Sequence, residues 1–116
     1  MGQLTTHVLD TSAGRPGAAI AWTLYRLDGE HNKLCSGVTN DDGRNDGPIL
    51  SGEAFAPGTY ELHFGVGDYF RQNAVVLSSP AFLDTVVIRF GIDDANQHYH
   101  VPLLVSPYGY STYRGS

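Results

Sequence analysis

Short runs of alternating apolar and polar residues, separated by turn-forming residues, constrain the fold of this chain more than any other feature. Alternation with a period of two is typical of strands that have one buried face. Fourteen glycines and six prolines punctuate these runs and do not cluster into a linker. Seven to eight strands at such short spacing predict an all-β sandwich, which residues 1–116 form as a single domain.

The individual elements follow from the same alternation. The predicted strands span residues 4–10, 19–27, 33–39, 58–66, 82–92, 98–105 and 108–114, with a very short strand near 48–50 and one short helix at 67–73. Residues 11–17 have a loop composition, and residues 40–43 predict a turn because Asn, Asp and Gly tolerate positive φ angles. The alternation places residues 4, 6 and 8 on one face of the first strand and residues 20, 22 and 24 on one face of the second. It predicts that Tyr60, Leu62 and Phe64 point inward.

The charge balance argues against several classes of partner. The net charge is −5 and the seven cations are scattered singly, so neither a nucleic-acid stripe nor a polybasic membrane patch is present. No run approaches the roughly 18 apolar residues of a membrane span. Charged residues make up only 16% of the chain, which makes further burial between subunits plausible.

The cysteine content and the residues at the two ends of the sequence bear on the subcellular location of the protein. The single cysteine, Cys35, rules out an internal disulfide and fits a reducing compartment, where we expect it to be a small buried apolar side chain. The first residues lack the basic start and apolar stretch of a secretion signal. We therefore expect a cytoplasmic protein. A eukaryotic source would leave a peroxisomal location open, although the last residues do not match a Ser-Lys-Leu signal.

Five histidines are the main candidates for chemistry, and they are not equivalent. We expect His31 to be solvated in a hairpin loop and His63 to lie on the strand face opposite the core. His7 and His100 stand in the middle of apolar strands, and His98 shares a face with His100. If the first and penultimate strands join one sheet, we expect a single apolar surface that carries two or three of these imidazoles.

Two interpretations of these histidines remain open. They could be core side chains hydrogen-bonded to the backbone, or a general base with its orienting partner, because the imidazole pKa lies nearest to neutrality. A third hypothesis is a zinc site in which His98, His100 and His7 are the ligands, although the spacing is not diagnostic. Our prediction is a site without a metal or other cofactor.

Two arginines could bind a substrate. Arg44 directly follows the predicted turn, where it could form a surface ion pair or a guanidinium fork that grips carbonyl oxygens. Arg114 lies in the sequence Tyr113-Arg114-Gly115-Ser116, which ends the chain without a polar tail. An end with this composition suggests a defined place in a site, since chain ends otherwise fray.

Taken together, residues 4–16, 39–44 and 99–116 resemble the 5-hydroxyisourate hydrolases, the transthyretin-related enzymes of urate degradation. The resemblance covers nearly the whole chain, and its Tyr-Arg-Gly-Ser ending separates these hydrolases from the hormone-carrying transthyretins. It implies a transthyretin-like β-sandwich that forms a homotetramer, a dimer of dimers with sites at the dimer–dimer interface. It also implies hydrolysis of 5-hydroxyisourate to 2-oxo-4-hydroxy-4-carboxy-5-ureidoimidazoline.

The same resemblance assigns roles to individual residues. The catalytic residues would be His7, Arg44 and His100. The substrate would be bound by these three and by His98, Tyr113, Arg114, Gly115 and Ser116. The alternative is a non-catalytic carrier that binds a small aromatic ligand in the same channel, which would need an open, apolar and uncharged lining.

Overall fold

The computed structural model describes residues 2–115 and contains nine strands and two short helices. The strands are β1 (Gln3–Asp10), β2 (Arg15–Pro16), β3 (Ala21–Leu27), β4 (His31–Val38), β5 (Leu50–Ser51), β6 (Gly58–Gly65), β7 (Thr85–Ile92), β8 (Tyr99–Ser106) and β9 (Gly109–Thr112). The α-helix α1 spans Val66–Gln72, and a 3₁₀ turn spans Gly52–Ala54. None of the described helices is long and apolar enough to cross a membrane.

The strands form two sheets. The first has the order β2-β1-β8-β9, with β5 also paired to β1, and its central pair β1–β8 is parallel. The second is antiparallel throughout and has the order β4-β3-β6-β7. The sheets pack into a sandwich, so the predicted all-β architecture with one short helix is confirmed.

The core lies between the sheets and is made from alternate positions of the strands. Leu4 and Val8 of β1 are fully buried, as are Leu62 and Phe64 of β6. Trp22 of β3 is 4% exposed. The neighbours of these residues along each strand point outward, because side chains alternate between the two faces. This alternation leaves the histidine-bearing face of the first sheet outside the core.

The helix α1 follows β6 directly and precedes β7 of the same sheet. It buries Val66, Tyr69 and Phe70. The Tyr69 hydroxyl donates to Asp10 Oδ2 at 2.7 Å, at the end of β1. The Ser12 hydroxyl donates to the other carboxylate oxygen at 2.6 Å. These contacts satisfy a buried carboxylate and fix the end of the strand that carries the candidate site.

Two local predictions need correction. Residues 11–17 are not purely a loop, because Arg15 and Pro16 pair with Asp10 and Leu9 as β2. His31 is exposed, as predicted, with 56% of its side chain accessible, but it does not lie in a loop. It begins β4, and its Nε2 lies 3.0 Å from Glu61 Oε1. The other predicted strands are present, with ends that differ from the predicted ones by at most three residues, and the helix starts one residue earlier than predicted.

Candidate active site

The outer face of the first sheet brings two of the predicted histidines together. In the parallel β1–β8 pair, Thr5 lies opposite His100 and His7 lies opposite Pro102. The first and penultimate strands therefore adjoin, which is the arrangement on which the predicted surface depended. His7 and His100 are both half-buried on this outer face and not enclosed in the core.

The side chain that contacts His100 is Thr5. Thr5 Oγ1 lies 2.8 Å from His100 Nδ1 and 3.2 Å from His98 Nε2. The sequence places Thr5 and His7 on the same strand face, but this alternation alone gives Thr5 no role. The signal that could have identified it is this shared parity, combined with the register of β1 against β8.

Arg44 reaches the same surface because a tight turn docks on β1. The Asn40 side-chain oxygen accepts the N–H groups of Asp42 and Arg44 at 2.9 and 3.1 Å, which closes the turn as predicted. Gly43 has φ +75°, and its carbonyl accepts the N–H of Val8 at 2.8 Å. A Cβ at Gly43 would collide with the Val8 carbonyl oxygen. The turn thereby sets Arg44 opposite His7 in an isolated bridge.

The surroundings of both histidines favour the neutral imidazole. Burial is the main cause that lowers the pKa of His7, and the Arg44 charge adds to it, while Asp42 opposes both. Burial likewise lowers the pKa of His100, followed by the charges of Arg44, His7 and His98. Both rings therefore remain unprotonated at neutral pH, which is the state that a general base requires.

A cavity of about 500 Å³ lies over this surface. Its volume falls in the range of small-molecule sites. Most of the side chains around it are polar, so it suits a small ligand rich in carbonyl and N–H groups better than an apolar aromatic one. The lining residues are Gln3, Thr5, Thr6, Arg44, Asn45, Gly47, Pro48, His98 and His100.

The chain end meets the site at one residue. The Gly115 N–H donates to the His100 carbonyl oxygen at 2.7 Å. A Cβ at Gly115 would lie 2.7 Å from His100 Cδ2, so only glycine fits without a shift of the ring. Gly115 therefore covers the His100 ring on the side away from Thr5. The predicted site residue Ser116 lies outside the described residues.

Within one chain, Tyr113 and Arg114 are turned away from this cavity. The Arg114 guanidinium donates to Gln97 Oε1 at 2.8 Å and its carbon lies 3.9 Å from the centre of the Tyr99 ring. Tyr113 and Arg114 line a second cavity of about 230 Å³ beside Phe90 of β7. Their predicted contact with substrate stays a prediction.

The described residues offer no obvious metal centre. Between residues 2 and 115, no group of three or more His, Cys, Asp and Glu side chains is arranged to hold a metal ion. Cys35 lies on β4 away from this surface, and partial burial raises its pKa. The arrangement instead places two neutral imidazoles and a guanidinium on one outer face, where Arg44 and His100 line the cavity. Groups of this kind can activate water and stabilise negative charge.

Comparison with known proteins points to one family. The family model described as "HIUase/Transthyretin family" matches residues 4–115. A relative from Rhizobium meliloti named 5-hydroxyisourate hydrolase 2 is 62% identical over 116 residues, covering 99% of this chain and 97% of that protein.

Solved structures agree with this match. A structure of Klebsiella pneumoniae 5-hydroxyisourate hydrolase has a TM-score of 0.83 at 33% identity, with full coverage of both chains. A structure of (S)-allantoin synthase has a TM-score of 0.94 at 49% identity, covering 99% of this chain but only 44% of that one. Sea bream transthyretin in complex with thyroxine, at 23% identity and a TM-score of 0.87, shares the fold.

Proposed function

The chain belongs to the HIUase/transthyretin family and hydrolyses 5-hydroxyisourate in urate degradation, and we propose that His7, Arg44 and His100 carry out this reaction. One observation carries the assignment of residues. Two imidazoles with lowered pKa values and one guanidinium lie on the single polar surface formed by β1, β8 and the turn before Arg44.

The reaction sets three requirements. A water molecule must lose a proton as its oxygen bonds to a ring carbonyl carbon, the carbonyl oxygen must hold negative charge, and the departing ring nitrogen must receive a proton. A neutral histidine can take the first proton and return it to the nitrogen. The Arg44 fork can bind the carbonyl oxygens of the substrate and stabilise the charge that develops on one of them. The second histidine positions the water.

We further propose that the working unit is a tetramer in which facing copies complete each site. The strand β9 lies at the edge of its sheet and is exposed along its whole length. Tyr110 on β9 and Tyr113 beyond it are 47% and 62% exposed, so aromatic surface near this edge is available to a partner. Edge-to-edge pairing would cover them and leave the histidine faces of two dimers to pack together. Sedimentation analysis of the purified protein would test the stoichiometry.

We propose a cytoplasmic location. The support is Cys35, a free thiol on β4 that has no disulfide partner in the chain. Fractionation of the source cells, followed by immunodetection, would test this placement.

The activity is tested directly by the ultraviolet decay of freshly generated 5-hydroxyisourate, with and without the protein. We expect the protein to accelerate this decay and to release the ring-opened ureidoimidazoline. The polar lining of the cavity disfavours a carrier for an aromatic hormone. Decay at the spontaneous rate, together with tight binding of an iodinated aromatic ligand, would contradict the proposal.

A further inference from the structure

We propose that Thr5 is a positioning residue that selects the tautomer of His100 able to act as the base. The proposal rests on the proposed function, because it assigns the proton-accepting atom within the same site. It starts from the position of one hydroxyl group between two imidazole nitrogens, at 2.8 Å from His100 Nδ1 and 3.2 Å from His98 Nε2.

A threonine hydroxyl has one proton and two lone pairs. It can donate to only one of these two nitrogens, so a second hydrogen bond requires the other imidazole to donate to it. Two kinds of arrangement satisfy both contacts. In the first, Thr5 accepts from His100 Nδ1–H and either donates to His98 or accepts from it as well. In the second, Thr5 donates to His100 Nδ1 and accepts from His98.

Only the first arrangement leaves His100 as a base. With its proton on Nδ1, His100 keeps a lone pair on Nε2, the nitrogen that Thr5 leaves free. In the second arrangement Nε2 carries a proton and cannot accept one. His100 lines the cavity, and a base at this position requires the first arrangement. The hydroxyl thereby plays the part of the third group that orients a base in other hydrolases.

Two contacts hold the ring in place for this task. Thr5 binds it at Nδ1, and Gly115 lies against Cδ2. During the reaction the water oxygen bonds to the carbonyl carbon while its proton moves to His100 Nε2. The imidazolium keeps its Nδ1–H on Thr5. As the C–N bond breaks, the same Nε2 proton passes to the ring nitrogen, which restores the starting tautomer and consumes one water.

The kinetic test compares two variants of Thr5 with a matched control. Thr5→Val keeps the shape but removes the hydroxyl, whereas Thr5→Ser keeps the hydroxyl. Thr59→Val makes the same change at an exposed position of β6 in the other sheet. We expect Thr5→Val to lower kcat by about 10- to 100-fold with KM nearly unchanged, since misorienting a reacting group has costs of this size. Thr5→Ser and Thr59→Val should stay within a few-fold of the parent.

The kinetic results distinguish a failure of the Thr5 proposal from a failure of the proposed function. A Thr5→Val enzyme with unchanged kcat contradicts the role of Thr5. A rise in KM alone also contradicts it, because Thr5 would then only bind substrate. A parent protein that does not accelerate 5-hydroxyisourate decay contradicts the proposed function itself.

If Thr5→Val fails to fold, NMR of the parent protein tests the proposal without any measurement of turnover. The ¹⁵N chemical shifts of the parent protein's imidazoles report which nitrogen of His100 carries the proton at neutral pH. We expect the Nδ1–H form in the parent and in Thr5→Ser. A parent His100 that is mainly protonated at Nε2 would overturn the proposal.

Discussion

The Gly115 N–H donates to the carbonyl oxygen of His100 at 2.7 Å, and the two residues are so close that a Cβ on Gly115 would press on the His100 ring. The contact joins Gly115 to His100 through a backbone hydrogen bond, and it leaves no room for a side chain at position 115. It gives a reason for glycine at this position that does not depend on a turn.

Gly115→Ala should therefore impair hydrolysis more than folding. We expect kcat to fall by up to about 100-fold because the imidazole must shift by some tenths of an ångström or more. The melting temperature should change little, since the segment near Gly115 is exposed. Gly65→Ala is the matched control, because its Cβ would meet no atom closer than 3.7 Å. Full activity of Gly115→Ala would show that the ring has room to move.

The pH dependence of kcat/KM should reflect the lowered pKa values of His7 and His100. Both pKa values lie below the ordinary histidine value of 6.5, so the bases stay neutral as the pH falls through that value. Activity should decline only at a lower pH, where the imidazoles finally become protonated. An acid limb centred above 6.5 would contradict the environment described for these residues.

Arg44→Gln should change both the size and the pH dependence of the activity. Loss of the Arg44 guanidinium should lower kcat by about 100- to 1000-fold, the usual cost of removing a group that stabilises an oxyanion. Removing the positive charge also raises the pKa of both histidines, so the acid limb should move to higher pH. Lys33→Gln removes a charge from the other sheet and should leave the profile unchanged. A lowered rate with an unmoved acid limb would mean that Arg44 does not act on the histidines.

Stability in acid should depend on Glu61, on the outer face of the second sheet. Its carboxylate accepts hydrogen bonds from His63, Arg89 and His31. The His63 hydrogen bond is the largest cause that lowers the pKa of Glu61 from 4.5 to about 2, and burial opposes the shift. Because the pKa is depressed on folding, the stabilisation is complete above pH 4.5 and is lost as the pH falls towards 2.

Glu61→Gln should lower the free energy of unfolding by about 1–3 kcal/mol at neutral pH, because three donors lose the charged acceptor that the buried carboxylate provides. The difference from the parent should shrink between pH 4.5 and 2, as the parent carboxylate becomes protonated. Urea unfolding of both proteins across this range measures it, with Glu30→Gln as the exposed control. A difference in unfolding free energy that stays constant down to pH 2 would mean that the destabilisation does not come from loss of the negative charge of Glu61.

The fold could be predicted largely from the sequence because burial and strand geometry impose the same period of two. The alternation of Tyr60, Leu62 and Phe64 identifies the inner face of β6 without reference to other strands. What could not be predicted depends on register between strands distant in sequence. The two-residue strand β2 is too short to show a period, and His31 meets Glu61 only because β4 and β6 flank β3.

The candidate site could likewise be predicted only in part from the sequence. Local patterns single out His7, His100 and Arg44 as chemically suited residues, and the turn before Arg44 could be read from its composition. The role of Thr5 depends on the parallel register that sets it opposite His100, which no local pattern encodes. The orientation of Arg114 on the Tyr99 ring likewise arises from tertiary packing.

The most direct test of the proposed catalysis is the turnover of 5-hydroxyisourate by His100→Asn, measured on a preparation whose oligomeric state and melting temperature match those of the parent. Asparagine keeps a polar side chain of similar size but cannot titrate near neutrality. We expect kcat to fall by about two to four orders of magnitude, the range for loss of general acid–base catalysis. Turnover within a few-fold of the parent would mean that His100 is structural and that the water is activated elsewhere.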